Sequence, residues 1–281
     1  MSDGARREKA PVDSPRHPIV ALARAVEHDA RARARPTLYI AWGLHLVQEA
    51  LDAGAPIAHA LISPACAESP HGTELARRLL AAGTLPLRTT SRILEAIVPG
   101  SGDQGIVLLL PRPAHDLAAI LERRPTLILA AHGVQDPGNL GSIVRTSLAL
   151  GSAALVALEG CADPLGSRAV RAAMGAHFRL PVLTRKSGDA LGALRAAGLR
   201  IVAADPRGGD PPQMIDLTAA TALLVGSEGE GLPPAILAAA QERVRIPMRA
   251  GVDSMNVHAA AAVLLYETAR QRGFPFGGVP Q

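Results

Sequence analysis

The sequence predicts an α/β protein in two parts, a C-terminal domain on a parallel sheet and a smaller α/β domain before it. Three observations predict this. Between Leu127 and Pro247, continuous apolar runs of strand length recur. Stretches of helical character separate those runs. From Leu38 to Pro111, short strands and helices alternate on a smaller scale. A strand buried on both faces reads as an unbroken apolar run, and its alternation with helices marks a parallel sheet covered on both sides.

Taken in order, residues 1–18 are polar, carry Pro11, Pro15 and Pro18, and are expected to form a disordered tail. A helix is expected over Ile19–Arg33. Its Arg24 and Arg31 share a face at seven-residue spacing, whereas Arg33 points elsewhere, so these charges form no single basic stripe and read as a solvated surface in preference to an RNA contact. The small domain, 19–112, continues with a helix at His45–Ala53, a strand at Ala58–Ser63 and a helix at Gly72–Ala82. A strand at Leu85–Thr89, a helix capped by Ser91 and a strand at Gly105–Leu110 complete it. Pro111-Arg112-Pro113, with a short helix to Arg124 and then Pro125, reads as a linker over 113–125. In the large domain, 126–273, strands are expected at Leu127–Ala131, Ala154–Leu158, Arg200–Ala204, Ala222–Gly226 and Val244–Pro247. Helices are expected at Leu140–Leu150, Ser167–Ala176, Asp189–Ala197 and Pro234–Ala240, and an Ala-rich one runs to Glu267. Residues 274–281 form a second tail. Ligands of such sheets sit at the carboxyl ends of the strands.

Composition narrows the function. With 281 residues, 48% hydrophobic and 19% charged, the chain is too apolar for a disordered protein. Three Phe, two Tyr and one Trp exclude recognition of RNA through stacked aromatic platforms. Lys9 and Lys186 are the only lysines, so basic charge is nearly all arginine. That bias suits forked phosphate or carboxylate contacts, and a GC-rich genome produces it equally. Cys66 and Cys161 stand in no metal-type spacing, so neither a zinc site nor a disulfide framework is expected. No apolar run approaches the roughly 18–20 residues of a membrane span, and no apolar stretch follows the N-terminal charges as in a secretory signal. A soluble cytoplasmic protein is expected.

Three loops concentrate the unusual residues. The first is Asp136-Pro137-Gly138-Asn139-Leu140-Gly141-Ser142-Ile143-Val144-Arg145-Thr146. Asn139 suits the N-cap of a helix beginning at Leu140, but a cap does not need Arg145, which is either functional or a surface ion-pair partner. The second is Gly226-Ser227-Glu228-Gly229-Glu230-Gly231-Leu232-Pro233. Its G-x-x-G-x-G spacing is neither the dinucleotide fingerprint nor a P-loop. Two glutamates make a poor phosphate cradle. Its glycines allow backbone to approach a neutral or cationic ligand, or they form a plain turn. The third is Ile246-Pro247-Met248, then Asp253-Ser254-Met255-Asn256-Val257-His258 entering the Ala-rich helix. Ser254 and Asn256 both suit caps. That helix is apolar on nearly every face and belongs in the fold or in a dimer interface.

These three segments, in this order, resemble the ordered motifs of the SpoU/TrmH family, RNA 2′-O-ribose methyltransferases of the SPOUT superfamily. The motif residues are Asp136 to Thr146 with Ala149-Leu150-Gly151, Leu224 to Leu232, Ile246-Pro247-Met248 and Asp253 to Val257. More loosely, Ala41-Trp42-Gly43-Leu44-His45-Leu46 and Gly102-Asp103-Gln104-Gly105-Ile106-Val107 resemble the small substrate-binding domain of rRNA-directed members. The resemblance implies S-adenosylmethionine as methyl donor, held in a deep C-terminal trefoil knot, a topology otherwise almost absent from proteins. It implies donor contacts at Gly226, Ile246 and Met255, with Leu224, Pro247 and Met248 beside them. It assigns activation of the ribose hydroxyl to Arg145, positioned by Asn139, with either Arg145 or an RNA phosphate taking the proton. Glu228, Ser254 and Asn256 would complete the site through bonds to Arg145, ribose or phosphate. No metal is implied.

The implied partners are RNA, ribosomal in preference to transfer RNA, and a second copy of the chain, paired through the knot region and final helix to make a composite pocket. Two positions depart from the pattern. Met255 stands where leucine is usual, and His258, where a small residue is common, reads as a packing or interface histidine in preference to a catalytic one, with a reach towards RNA phosphate left open. Two rivals fail on the residues: a non-catalytic RNA-binding factor would have degraded motifs, and a nucleotide-dependent enzyme would need phosphate-binding glycines where Asp136-Pro137-Gly138-Asn139 stands.

Overall fold

The computed structural model describes residues 12–28, 37–102 and 104–275. The chain divides into two compact units, Met1–Pro113 and Ala114–Gln281.

The first unit begins with α1 (Pro18–His28), so of the expected helix over Ile19–Arg33 the last residues lie outside those described. There follow β1 (Leu38–Trp42), α2 (Leu44–Asp52), β2 (His59–Ile62), α3 (Pro64–Glu68), α4 (Pro70–Ala81), β3 (Pro86–Arg88), α5 (Ser91–Ile97) and β4 (Ile106–Pro111). The strands lie in the order β1-β4-β2-β3. β4 is antiparallel to both neighbours, and β2 pairs parallel with β3. α1 and α5 cover one face, with Val20, Ala23, Ile93, Leu94 and Ile97 against Ile40, Leu61 and Leu109.

Three expectations need correction here. The tail is not free throughout: Val12 is buried, its N–H donates to the Arg88 carbonyl at 2.7 Å, and Thr89 Oγ1 donates to its carbonyl at 2.6 Å. Residues 1–11 lie outside those described. Thr90, not Ser91, caps α5, its hydroxyl accepting the Ile93 N–H at 3.2 Å. Leu38–Trp42, not foreseen as a strand, is one. Its apolar run is followed by the amphipathic α2 with only Gly43 between, and Gly43 at φ 92° makes the corner that separates them.

The second unit contains α6 (Leu117–Glu122), β5 (Leu127–Ala131), α7 (Pro137–Ala149), β6 (Leu155–Ala157), α8 (Ser167–Ala172), β7 (Val182–Thr184), α9 (Ser187–Ala196), β8 (Arg200–Ala204), β9 (Thr221–Val225), α10 (Pro234–Ala239), β10 (Glu242–Val244) and α11 (Val257–Gln271). Its six strands, ordered β10-β8-β9-β5-β6-β7, are all parallel. Side chains alternate across the sheet. Leu129, Leu223 and Val225 meet α7 and α11 on one face, while Ile128, Ala222 and Leu224 meet α6, α9 and α10 on the other. The stretch read as a linker is therefore mostly part of this unit, with Leu117 and Ile120 of α6 in its core.

Boundaries shift for local reasons. The helix expected over Ser167–Ala176 stops at Ala172, because Met174 and Gly175 adopt left-handed φ values of 51° and 91° before a single 3₁₀ turn, Ala176–Phe178. The strand expected over Val244–Pro247 ends at Val244, and Ile246 to Met248 leave the sheet. Among the described residues no helix is long and apolar enough to cross a membrane.

Candidate active site

The carboxyl ends of β8, β9 and β10 are neighbours in the sheet. Beyond their last residues, Ala204, Val225 and Val244, opens a cavity of about 370 Å³. Ile246, Met248, Met255 and Val257 supply apolar wall, and the loop from Gly226 to Gly231 supplies backbone. That loop is tightly closed. Ser227 and Gly231 exchange backbone hydrogen bonds at 3.2 and 3.1 Å, with Gly231 at φ 71°. A Cβ on Gly226 would stand 2.3 Å from the Gly231 carbonyl carbon and 2.5 Å from the Leu232 nitrogen, so glycine is required there.

Beside the cavity, three separate stretches of chain meet at one carboxylate oxygen. Glu228 Oε1 accepts Asn139 Nδ2 at 2.7 Å, Asn256 Nδ2 at 2.5 Å and the Val257 N–H at 3.4 Å. Asn256 Nδ2 also donates to Asn139 Oδ1 at 3.1 Å, closing a triangle of side chains. Asn256 caps α11 at the same time, its Oδ1 accepting the N–H groups of His258 and Ala259 at 3.0 and 3.3 Å. Asn139 is not the cap of α7. Asp136 is, through the Asn139 N–H at 2.7 Å, with Pro137 opening the helix. The Asn139 side chain is thereby free for Glu228.

Arg145 stands apart from the triangle. It is exposed on α7, makes no hydrogen bond or ion pair among the described residues, and does not line the cavity. Six positions along a helix place it about 120° around the axis from Asn139. The expected contacts of Arg145 with Asn139, Glu228 or Asn256 are therefore absent among the described residues. The neighbouring Thr146 shares a 2.9 Å hydrogen bond between its Oγ1 and His258 Nε2, which ties α7 to α11. Partial burial lowers the pKa of His258.

Comparison with known proteins decides what the arrangement belongs to. Residues 126–266 match the model of the SpoU rRNA methylase family, and residues 40–115 match that of the RNA 2′-O ribose methyltransferase substrate-binding domain. The chain belongs to the SpoU rRNA methylase family. It is 30% identical over 239 residues to the 23S rRNA (guanosine(2553)-2′-O)-methyltransferase RlmP of Bacillus subtilis, covering 85% of this chain and 91% of the relative. The structure of an AdoMet-bound rRNA methyltransferase from Sinorhizobium meliloti aligns with a TM-score of 0.82 at 30% identity, covering 93% of this chain and 97% of that one. The SpoU methyltransferase AviRb from Streptomyces viridochromogenes, in complex with AdoMet, aligns at 0.81 and 28% identity, covering 92% and 98%. The chain is thus an RNA 2′-O-methyltransferase whose methyl donor is S-adenosylmethionine.

The SpoU motifs converge only in part on the cavity. Gly226, Glu228, Ile246, Met248, Ser254 and Met255 line it, as expected of residues on these loops. Leu224 does not: alternation along β9 turns it from the Val225 side into the core beneath α10. Pro247 is exposed outside the lining, Asn139 and Asn256 flank the cavity through Glu228 without entering its wall, and Arg145 lies outside the lining. The exposed Ser254 makes no side-chain hydrogen bond among the described residues. Sequence reasoning missed Asp205 and Arg207, which follow β8 and line the cavity. The signal was the polar Asp-Pro-Arg-Gly-Gly turn at the carboxyl end of a buried strand. Apolar walls for a nucleoside, a glycine cradle and an acid-bearing rim for a sulfonium cation fit the SpoU methyl donor. Among the described residues no group of three or more His, Cys, Asp or Glu is placed to hold a metal.

Proposed function

We propose that this chain methylates a ribose 2′-hydroxyl of ribosomal RNA, with Arg145 acting on the hydroxyl and the cavity at β8–β10 holding the donor. One observation carries the reading: Asn139, Glu228 and Asn256, from all three motifs, are hydrogen-bonded together at the rim of that cavity. The match of residues 40–115 to an RNA substrate-binding model, and the 23S rRNA named for the Bacillus subtilis relative, support the choice of ribosomal RNA.

S-adenosylmethionine supplies a methyl group already activated on sulfur, so the protein's tasks are alignment and charge stabilisation. Gly226, Ile246 and Met255 shape the donor pocket. Glu228 fixes the two asparagines, and Ser254 offers a hydroxyl to ribose or phosphate. Arg145 holds the 2′-hydroxyl and stabilises the alkoxide developing there. It does not take the proton, because a guanidinium stays protonated in proteins; an RNA phosphate beside it receives the proton as the hydroxyl oxygen is methylated.

The exposure of Arg145 away from its own cavity favours a site composed by two copies of the chain. The outward row of α11, Ala259, Val263 and Tyr266, is apolar and exposed, and Tyr266 packs on Phe274 at 5.5 Å between ring centroids. That row and the exposed Val252 suit a homodimer contact. Threading of the chain as a trefoil knot between β9 and α11 is part of the same reading, supported by the family. So is action in the cytoplasm. The test is to incubate the protein and labelled donor with separate rRNA and tRNA fractions and map the product. A 2′-O-methyl nucleotide in rRNA is expected. Label on a base atom would refute the reaction, and label confined to tRNA would refute the substrate.

A further inference from the structure

The turn after β8 is built to one shape. Asp205 is 5% exposed, its Oδ1 accepts the Arg207 N–H at 3.0 Å, and its Oδ2 lies 3.6 Å from Arg243 Nη1. Gly209, at φ 105°, passes so close to β10 that a Cβ would stand 2.3 Å from the Arg243 carbonyl oxygen. Burying a carboxylate costs free energy unless it is bonded and paired, so these contacts hold the turn in place. The side chain they present to the cavity is Arg207. Its Nη2 reaches the Glu230 carbonyl oxygen across the cavity mouth at 3.4 Å, longer than a good hydrogen bond, and it makes no other side-chain bond among the described residues. Every other charged residue among those lining the cavity is an acid: Asp205, Glu228, Glu230 and Asp253.

A lone guanidinium among four carboxylates has little use for a nucleoside or a sulfonium. The remaining ionic groups of the donor are an ammonium and a carboxylate, and the carboxylate needs a cation in such a setting. The planar fork of arginine pairs with a carboxylate through two parallel hydrogen bonds. We infer that Arg207 receives the amino-acid carboxylate of S-adenosylmethionine and so sets which end of the donor lies at the mouth of the cavity. The inference rests on the donor occupying this cavity. An RNA phosphate is the rival occupant, but it would bring further negative charge among the four acids, whereas the donor carries two cations that offset its one anion.

The experiment measures calorimetric affinities of the full chain for S-adenosylmethionine and for its decarboxylated form, with wild type, Arg207→Ala, Arg207→Lys and Ile246→Trp. Wild type is expected to bind the decarboxylated donor about tenfold more weakly, from the loss of one solvent-accessible charge-assisted contact. Arg207→Ala should bind the intact donor about tenfold more weakly and no longer distinguish the two ligands, and Arg207→Lys should recover part of the preference. If Arg207→Ala keeps the wild-type preference for the carboxylated donor, the assignment is overturned. Steady-state assays of the same variants complete the test: the assignment is equally overturned if donor affinities are unchanged and only the KM for RNA rises, which would make Arg207 a phosphate contact. Unchanged donor binding by Ile246→Trp, whose indole fills the cavity, would instead remove the placement of the donor itself.

Discussion

Glu228 and Asn139 are separated by 89 positions in the chain yet bonded at 2.7 Å, and Asn256 joins both. Asn256 has two tasks there, and substitution can separate them. Its Oδ1 caps α11, which serine also does well, at a cost of a few tenths of a kcal/mol. Its Nδ2 braces Glu228 and Asn139, which serine cannot do. Asn256→Ser is therefore expected to keep a melting temperature close to wild type while methyl transfer falls about tenfold, the size of one charge-assisted hydrogen bond. Asn256→Ala should lose the same activity and also about 1 kcal/mol of stability with the cap. Thermal melts beside single-turnover rates check this; equal melts for the two variants would mean that the cap contributes nothing. The residue types of this triangle were legible in the sequence, and their pairing was not. Asn139 looked like a cap because Asp136 and Asn139 are both good capping residues, and only the backbone decides that the helix begins at Pro137.

At the scale of elements, the buried strands were the most legible part, because both faces of β5, β8 and β9 are covered and an unbroken apolar run survives in the sequence. β7 was not foreseen, and β10 was expected two residues late, at Val244–Pro247, because the charged Glu242 and Arg243 hide its start. α8 was overestimated because its apolar spacing continues through Met174 and Gly175, whose left-handed backbone ends it. Close approaches between elements were hidden as well. A Cβ on Gly141 would meet the Ala169 carbonyl oxygen at 2.2 Å, so this motif glycine lets α7 and α8 touch. Gly226 serves the cavity in the same way. Gly226→Ala forces the Gly231–Leu232 backbone to move, since peptide atoms cannot rotate aside as a side-chain tip does. The expected result is a stability loss of about 1–3 kcal/mol and at least a tenfold weaker donor affinity. Equilibrium dialysis with labelled donor reads the affinity, and an alanine variant that binds as tightly as wild type would contradict the cradle.

For the whole molecule, pH and assembly are the two readable consequences. His177, in the 3₁₀ turn after α8, is 6% exposed, and burial pushes its pKa down from 6.5 to about 4. The unfolded chain therefore binds a proton there more readily than the folded one. Stability is retained above about pH 6.5 and falls as pH drops towards 4, by about 2 kcal/mol at pH 5 from this group. Urea midpoints at pH 7 and 5 should show that loss in wild type and a smaller one in His177→Leu. The proposed pairing of two copies is testable through Arg145, which is exposed and leaves its own cavity wall to other residues. If two copies build each site, Arg145 of one serves the cavity of the other. Arg145→Ala should then bind donor normally and lose transfer by about 10²–10³-fold, while Ile246→Trp, with its cavity filled, keeps a good Arg145 and loses donor binding. Mixed and allowed to exchange subunits, the two inactive proteins should regain activity, because a heterodimer contains one intact cavity facing one intact arginine. Val263→Asp, which places a charge on the outward row of α11, should run as a monomer of 29.1 kDa and abolish that rescue. A mixture that stays inactive although heterodimers form would place Arg145 and the donor within a single chain.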